Sequence, residues 1–271
     1  MKKLFLLLLL IPGTCRPSAD FPVPVIHENS LLLQNKASVV SYNPSHKQAD
    51  WVFYSLEKNE LRSCVDRGGI FRPDPRLKTD DSAQLGDFKN SGFDRGHLKP
   101  AADNRWNREA MNESFLLSNV SPQDPVFNRG IWAKLENLVR AWAKNNGGLW
   151  VSTGPLLNGS LRTNGADRVS LPEFFFKVLA TKIGEKHEAI AFLLPTSAHG
   201  NLTQYEMTVR NLEAVSGLDF LSGLSDEDEA ESSFHSERWN LNADFTYYPC
   251  TPGFLPAPLE SENSHFRLFP L

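Results

Sequence analysis

Residues 92–101 read G-F-D-R-G-H-L-K-P-A, residues 117–123 read L-S-N-V-S-P-Q and residues 128–140 read N-R-G-I-W-A-K-L-E-N-L-V-R. The third piece opens a helix expected over 130–145, because Ile131, Trp132, Leu135, Leu138, Val139 and Trp142 recur on one stripe at helical spacing. The first brings an extended strand up to His97, and Pro100-Ala101-Ala102-Asp103 closes it. Asp103 is placed to cap a short helix reaching about Glu113. Asn119 stands at the end of a short apolar run, Phe115-Leu116-Leu117. On a regular helix Asn128 and Glu136 would be separated by roughly 12 Å of rise and about 80° of rotation. They cannot both bind one ion directly, but helical side chains lean toward the N-terminus, so an ion-bound water can bridge to Glu136.

These residue types suit the cleavage of a phosphodiester. That reaction needs a base to take a proton from water, a divalent cation to absorb charge on phosphorus and the leaving oxygen, and a fixed cation to hold the phosphate. His97 titrates near the operating pH and can accept and release a proton in each turnover. Arg95 supplies a fixed cation. The segment from Asn128 to Glu136 offers an amide and a carboxylate, and magnesium accepts a site with few protein oxygens and several waters. Each residue also has an ordinary structural use: Asn128 as a helix N-cap, Glu136 as an i,i+4 partner of Arg140, Asn119 as a turn residue and His97 as a hydrogen-bonded core histidine.

D-R-G-H at 94–97 with Leu98-Lys99-Pro100-Ala101, S-N-V-S-P-Q at 118–123 and N-R-G-I-W-x-x-L-E at 128–136 together resemble the DNA/RNA non-specific endonuclease family of the ββα-metal superfamily. The T-G-P run at 153–155 and the F-F-F-K-V strand resemble it too. The resemblance implies an α/β fold of the α+β type, with a ββα-metal unit packed on a mainly antiparallel central sheet and the 130–145 helix as its α. It implies His97 as general base, Asn128 as direct magnesium ligand, with Mn2+ as a substitute, and Glu136 as holder of metal-bound water. Asn119 would orient the base or the phosphate, and Arg95 would bind phosphate. A basic residue upstream is expected at the phosphate as well; Arg72 is the first choice and Arg67 the second. DNA and RNA are the implied substrates, and a homodimer and an inhibitor protein remain open as partners. The rival reading is a secreted nucleic-acid-binding protein on a degenerate nuclease scaffold, whose mark would be loss of the base or the metal ligand.

Residues 1–19 have the pattern of a signal peptide: Lys2 and Lys3, an apolar run from Leu4 to Ile11 too short to span a bilayer, then Pro12-Gly13 and small residues to Ala19. Gly13-Thr14 is a poor lead-in for lipid attachment at Cys15. The expectation is an exported protein, periplasmic or extracellular, with one nuclease domain over 20–271 and no membrane span. In an oxidising compartment Cys64 and Cys250 are expected to pair. The formal charge of -4 becomes -7 once Lys2, Lys3 and Arg16 are removed, which is unusual for a chain that grips a polyanion. The excess is local: Asp219, Asp226, Glu227, Asp228, Glu229, Glu231 and Glu237 account for it, whereas residues 62–140 are slightly basic. Binding is therefore expected to rest on a local cleft and to be salt-sensitive.

Strands are expected at 49–56, 149–155, 174–183 and 189–194, from aromatic and β-branched runs. Residues 67–74 read as a turn into an extended piece, with Pro73 and Pro75 forbidding a helix. A helix is expected from Tyr205 to about Ser216, stopped by Gly217, with Val209, Leu212 and Val215 as its apolar face. Residues 21–44 give no clear signal, 226–233 read as a solvated loop, and the proline-rich tail from 249 reads as irregular and pinned by Cys250.

Overall fold

The structure is a computed structural model that describes residue 24 and residues 28–184, 186–221 and 238–250. Residues 1–19, expected as a leader, the expected loop at 226–233 and the residues beyond Cys250 lie outside the described residues. In chain order the strands are β1 (Leu31–Gln34), β2 (Val39–Asn43), β3 (Gln48–Glu57), β4 (Arg62–Ser63), β5 (Asp94–His97), β6 (Val120–Gln123), β7 (Gly148–Pro155), β8 (Thr163–Asn164), β9 (Val169–Ser170), β10 (Phe174–Ile183), β11 (Lys186–Pro195), β12 (Glu206–Met207) and β13 (Tyr248–Pro249). The α-helices are α1 (Leu85–Phe88), α2 (Arg108–Glu113), α3 (Pro125–Phe127), α4 (Ala133–Asn146) and α5 (Val209–Ser216).

Seven strands form one sheet in the order β1-β2-β3-β7-β10-β11-β12, and every neighbouring pair is antiparallel. This is the mixed α/β architecture expected from the sequence. Alternation along the strands gives the sheet two apolar faces. Val52, Tyr54, Leu56, Val151, Phe175 and Leu179 pack with Trp132, Leu135, Val139 and Trp142 from the α4 side. Trp51, Phe53, Phe176 and Val178 pack with Val209 and Leu212 of α5 and with Phe220 on the other. All six residues of the expected helix stripe are buried.

Several boundaries differ from the sequence expectation. The cap of α2 is Asn107, whose side chain accepts from the N–H groups of Glu109 and Ala110. Asp103 is instead buried under α4, where it accepts from Arg140 at 2.8 Å and from the Tyr54 hydroxyl at 3.0 Å. α5 starts at Val209 because Thr208 caps it. Tyr205 and the short β12 precede it, since β11 offers a free edge that recruits residues 206–207. Val215 is 49 % exposed and does not join the apolar face. The unplaced N-terminal region forms the β1–β2 hairpin, which extends the sheet beyond β3. Cys64 and Cys250 are joined in a disulfide with a Cα–Cα distance of 4.8 Å.

Candidate active site

β5 and β6 make a two-stranded antiparallel ribbon that pairs Asp94 with Gln123, Gly96 with Ser121 and His97 with Val120. Glycine at 96 is required by packing: a Cβ there would stand 2.1 Å from Oε1 of the buried Gln123. The alternation of the strand sets Arg95 and His97 on a common face. Both meet Phe71, the Arg95 guanidinium 4.6 Å over its ring and the His97 imidazole 5.2 Å from its centroid. Phe115 meets the imidazole edge-on at 5.0 Å and lies 5.0 Å from Phe71, so the three rings form one cluster. The Phe115 ring comes so near the chain at Gly69 that a Cβ there would meet it at 2.2 Å.

This seat controls the protonation of His97. Burial among aromatic rings, assisted by the charge of Arg67, pulls its pKa from 6.5 down to about 3, so the free imidazole is neutral at ordinary pH and does not titrate near the operating pH as the sequence reading expects. Its Nε2 is buried and has no hydrogen-bond partner among the described residues.

A cleft of about 540 Å³ opens over the imidazole, lined by Arg67, Phe71, Asp94, Arg95, His97, Pro100, Ala101, Ala102, Asn128, Arg129, Ala133 and Glu136. The structure thus brings His97, Arg95, Arg67, Asn128 and Glu136 together. Arg67 and Arg95 are exposed and form no ion pair among the described residues. Arg72, the first choice from sequence, lies elsewhere: its guanidinium donates to the carbonyls of Ile70 and Asn112. Of the two upstream arginines it is Arg67 that reaches the cleft.

Asn119 is also displaced from the expected role. It is buried, accepts from the N–H of Lys99 at 2.9 Å and donates to the carbonyls of Lys99 and Ser114, each at 2.9 Å. Its whole amide is spent on backbone, so it fixes the chain just past His97 rather than facing base or phosphate.

The turn carrying Asn128 is started by Asp124, whose side chain accepts from Val126 and Phe127 N–H groups, with Pro125 in the first position. Residues Asn128–Trp132 then form a wide π turn in which Gly130 departs from helical geometry, φ -103° and ψ -108°. Asn128 and Glu136 therefore do not share one regular helix, and both line the cleft. Asn128 is not the N-cap of this turn; it closes α3, its N–H bonded to the Pro125 carbonyl. Its Nδ2 donates to Asp94 Oδ2 at 2.9 Å, which directs the amide oxygen away from that carboxylate. Arg129 was missed by sequence reasoning. It grips Asp94 with both ends of its guanidinium, at 2.8 and 2.6 Å, and holds the Asp94 carboxyl below the usual range.

Glu136 is half-buried, and burial pushes its pKa up to about 7, opposed by the charges of Lys177 and Arg140. The expected pairing with Arg140 is not formed, because Arg140 is turned to Asp103 and Asn137. Lys177 was also missed. It is fully buried on β10, donates to Thr153 Oγ1 at 3.0 Å and lies 4.6 Å over the Trp132 ring. Burial pulls its pKa down to about 8, against the carboxylate of Glu136. The available signal was parity: Lys177 shares its strand face with Phe175 and Leu179, which belong to the core.

Besides the Asp94 carboxylate, which accepts from Asn128 and Arg129, the side-chain carbonyl and carboxylate oxygens at the cleft are those of Asn128 and Glu136, a sparse hard set that fits a largely hydrated cation. Among the described residues no group of three or more His, Cys, Asp or Glu is placed to hold a metal ion. No helix among them is long and apolar enough to cross a membrane.

The family model described as DNA/RNA non-specific endonuclease matches residues 21–227. The chain belongs to that family. Nuclease C1 of Cunninghamella echinulata var. echinulata is 35 % identical over 233 residues, covering 79 % of this chain and 86 % of that protein. Human mitochondrial endonuclease G is 32 % identical over 208 residues, 71 % of this chain and 70 % of that one. The mitochondrial nuclease EXOG of Xenopus laevis is 35 % identical over 202 residues, 68 % of this chain but only 56 % of its own length. Among solved structures, the EndoG/EndoGI complex, solved for the mechanism of EndoG inhibition, gives a TM-score of 0.69 at 26 % identity, over 73 % of this chain and 88 % of the matched one. Membership in a family of phosphodiester-hydrolysing endonucleases agrees with the ribbon and helix that frame the cleft.

Proposed function

We propose that this family member is an exported, magnesium-dependent endonuclease that hydrolyses DNA and RNA to 5′-phosphate ends, with His97 as general base. The observation that carries the reading is the cleft itself, where a neutral imidazole, two exposed arginines and an amide held by Asp94 converge.

Arg67 and Arg95 hold the phosphate at the mouth and draw it over His97. The imidazole takes a proton from a water placed in line with the leaving 3′-oxygen. That water's oxygen bonds to phosphorus, the bond from phosphorus to the 3′-oxygen breaks, the freed oxygen takes a proton from solvent to become a 3′-hydroxyl, and the imidazolium returns its proton to solvent. Asn128 would hold the cation through its amide oxygen, and Glu136 would hold one of the cation's waters. When bound, magnesium supplies neutralisation of the charge that builds on phosphorus and the leaving oxygen. Every proposed contact goes to phosphate or cation, so discrimination among bases or between sugars should be small.

Export rests on the leader-like residues 1–19, and the Cys64–Cys250 disulfide supports an oxidising destination. The test is cleavage of supercoiled plasmid and of single-stranded RNA by the purified mature protein, with magnesium and with EDTA, beside His97→Ala. Magnesium-dependent degradation of both substrates, lost in the variant, is expected. Wild-type activity in His97→Ala would overturn the assignment of the base. No cleavage by folded protein with any of several divalent metals would favour the binding-protein reading.

A further inference from the structure

The family match ends at residue 227, yet the segment 238–250 is tied to two walls of the cleft. Trp239 enters the core edge-on to Trp142 at 5.5 Å, and Trp142 Nε1 donates to the Asn240 carbonyl at 3.0 Å. From there the segment runs along α4, where Lys144 donates to the Thr246 carbonyl at 3.2 Å. The Tyr247 hydroxyl then donates to the carbonyl of Ala102 at 3.0 Å, and Ala102 lines the cleft. The ring of the same tyrosine lies 4.9 Å from the Arg105 guanidinium.

The next residues reach the opposite wall. Tyr248 and Pro249 pair in parallel with Arg62 and Ser63, and Cys250 is bonded to Cys64, three residues before Arg67. Both ends of this construction meet at Arg105, whose carbonyl accepts from the N–H groups of Cys64 and Val65 at 3.0 and 2.8 Å. One short segment thus joins the turn that follows His97 to the loop that carries Arg67.

We propose that residues 238–250 are part of this active site, with Tyr247 as a positioning residue for the wall at Ala102 and the Cys64–Cys250 bond as the tether that holds Arg67 over the cleft. This rests on the reading of the cleft as the catalytic site. Tyr247 touches no substrate. It acts by fixing the backbone that ends the His97 strand, and a misplacement of about 1 Å at such a distance is enough to cost up to a hundredfold in rate. The tether acts on binding, because a loosened Arg67 loses its aim at phosphate while His97 keeps its seat between Phe71 and Phe115.

The two parts predict different kinetics. In the full mature chain, Tyr247→Phe keeps the ring on Arg105 and loses the hydroxyl's interactions with the Ala102 carbonyl and the Arg105 side chain, and kcat should fall roughly tenfold with KM little changed. The double variant Cys64→Ser with Cys250→Ser should raise KM severalfold more than it lowers kcat, and its cleavage should be suppressed by salt more steeply than that of wild type. Near-UV circular dichroism at the assay temperature checks that each variant is folded. Adding Arg67→Ala to the double serine variant should change KM little further, whereas Arg67→Ala alone raises it. Folded variants with wild-type kcat and KM would overturn the proposal, as would equal loss in kcat and KM from both. If the double serine variant does not fold, Tyr247→Phe alone decides. His97→Ala run in parallel separates the two readings: if it stays active the cleft is not the site, and if it is inactive while the segment variants are unaffected, only the present proposal fails.

Discussion

Asp94 binds Asn128 and Arg129 at once: its Oδ2 accepts from the Asn128 amide at 2.9 Å and from Arg129 Nε at 2.8 Å, while Oδ1 takes the other end of the guanidinium at 2.6 Å. A carboxylate only accepts, so it dictates which end of the amide faces it. The oxygen of Asn128 is thereby turned away from Asp94, and on the proposed reading it is the atom that would hold the cation. Asp94→Ala should lower cleavage by about 10- to 100-fold, the usual cost of losing a group that orients a ligand. Raising the magnesium concentration should restore part of it. A loss that no magnesium concentration relieves would mean that Asp94 does not act through Asn128.

Arg67 and Arg72 are five residues apart and should behave oppositely. Arg67→Ala should raise KM and reduce the slope of log affinity against log salt by about one, as expected for one lost phosphate contact. Arg72→Ala removes contacts to the Ile70 and Asn112 carbonyls and should leave the salt slope unchanged. Salt titrations of binding by the His97→Ala protein, which does not consume its ligand, measure both.

Acid should destabilise the fold through His97. Its folded pKa of about 3 lies below the unfolded value of 6.5, so between these limits the unfolded chain binds the extra proton. Stability from this residue is complete above pH 6.5 and is lost as pH falls toward 3, with a slope approaching 1.4 kcal/mol per pH unit. Urea unfolding at pH 7 and pH 5 should show the loss in wild type, and His97→Asn should flatten it. An unchanged slope in the variant would place the proton uptake elsewhere.

Asn119→Ala strips partners from three buried backbone groups, at about 1 to 3 kcal/mol for each group left unpaired. Thermal unfolding should shift downward by many degrees, and any residual activity should keep the wild-type dependence on magnesium. A fully stable but inactive Asn119→Ala would instead argue for direct contact with substrate.

The parts of the site legible in the sequence are those written as contiguous pattern. The α4 stripe and the strand ending at His97 follow from periodicity and breakers, and the expected sheet strands at 49–56 and 174–183 appear as β3 and β10. Sequence reasoning erred where a polar residue chose among partners distant in the chain. Asp103 looked like a cap because it precedes a helix, but Arg140 and Tyr54 draw it into the interior. Arg72 and Arg67 are equivalent as letters, and only the bridge between Arg72 and Leu116 turns the former away from the cleft. Of residues 238–250 only the Cys64–Cys250 pairing was legible; the contacts of Asn240 and Thr246 with α4 and of Tyr247 with Ala102 were not, because no local pattern encodes them.

Lys177 carries its charge inside the sheet, with a hydroxyl and an indole face for company in place of an ion pair. A buried ammonium of this kind is costly to desolvate, and an apolar side chain of similar length removes that cost. Lys177→Met should accordingly leave a sturdier protein, with a Glu136 that no longer feels a cation beneath it and protonates more readily. The thermal resistance of the fold and the electrostatic poise of its cleft are set against each other at this one position, and heat-hardening the protein by filling its core would be expected to blunt it.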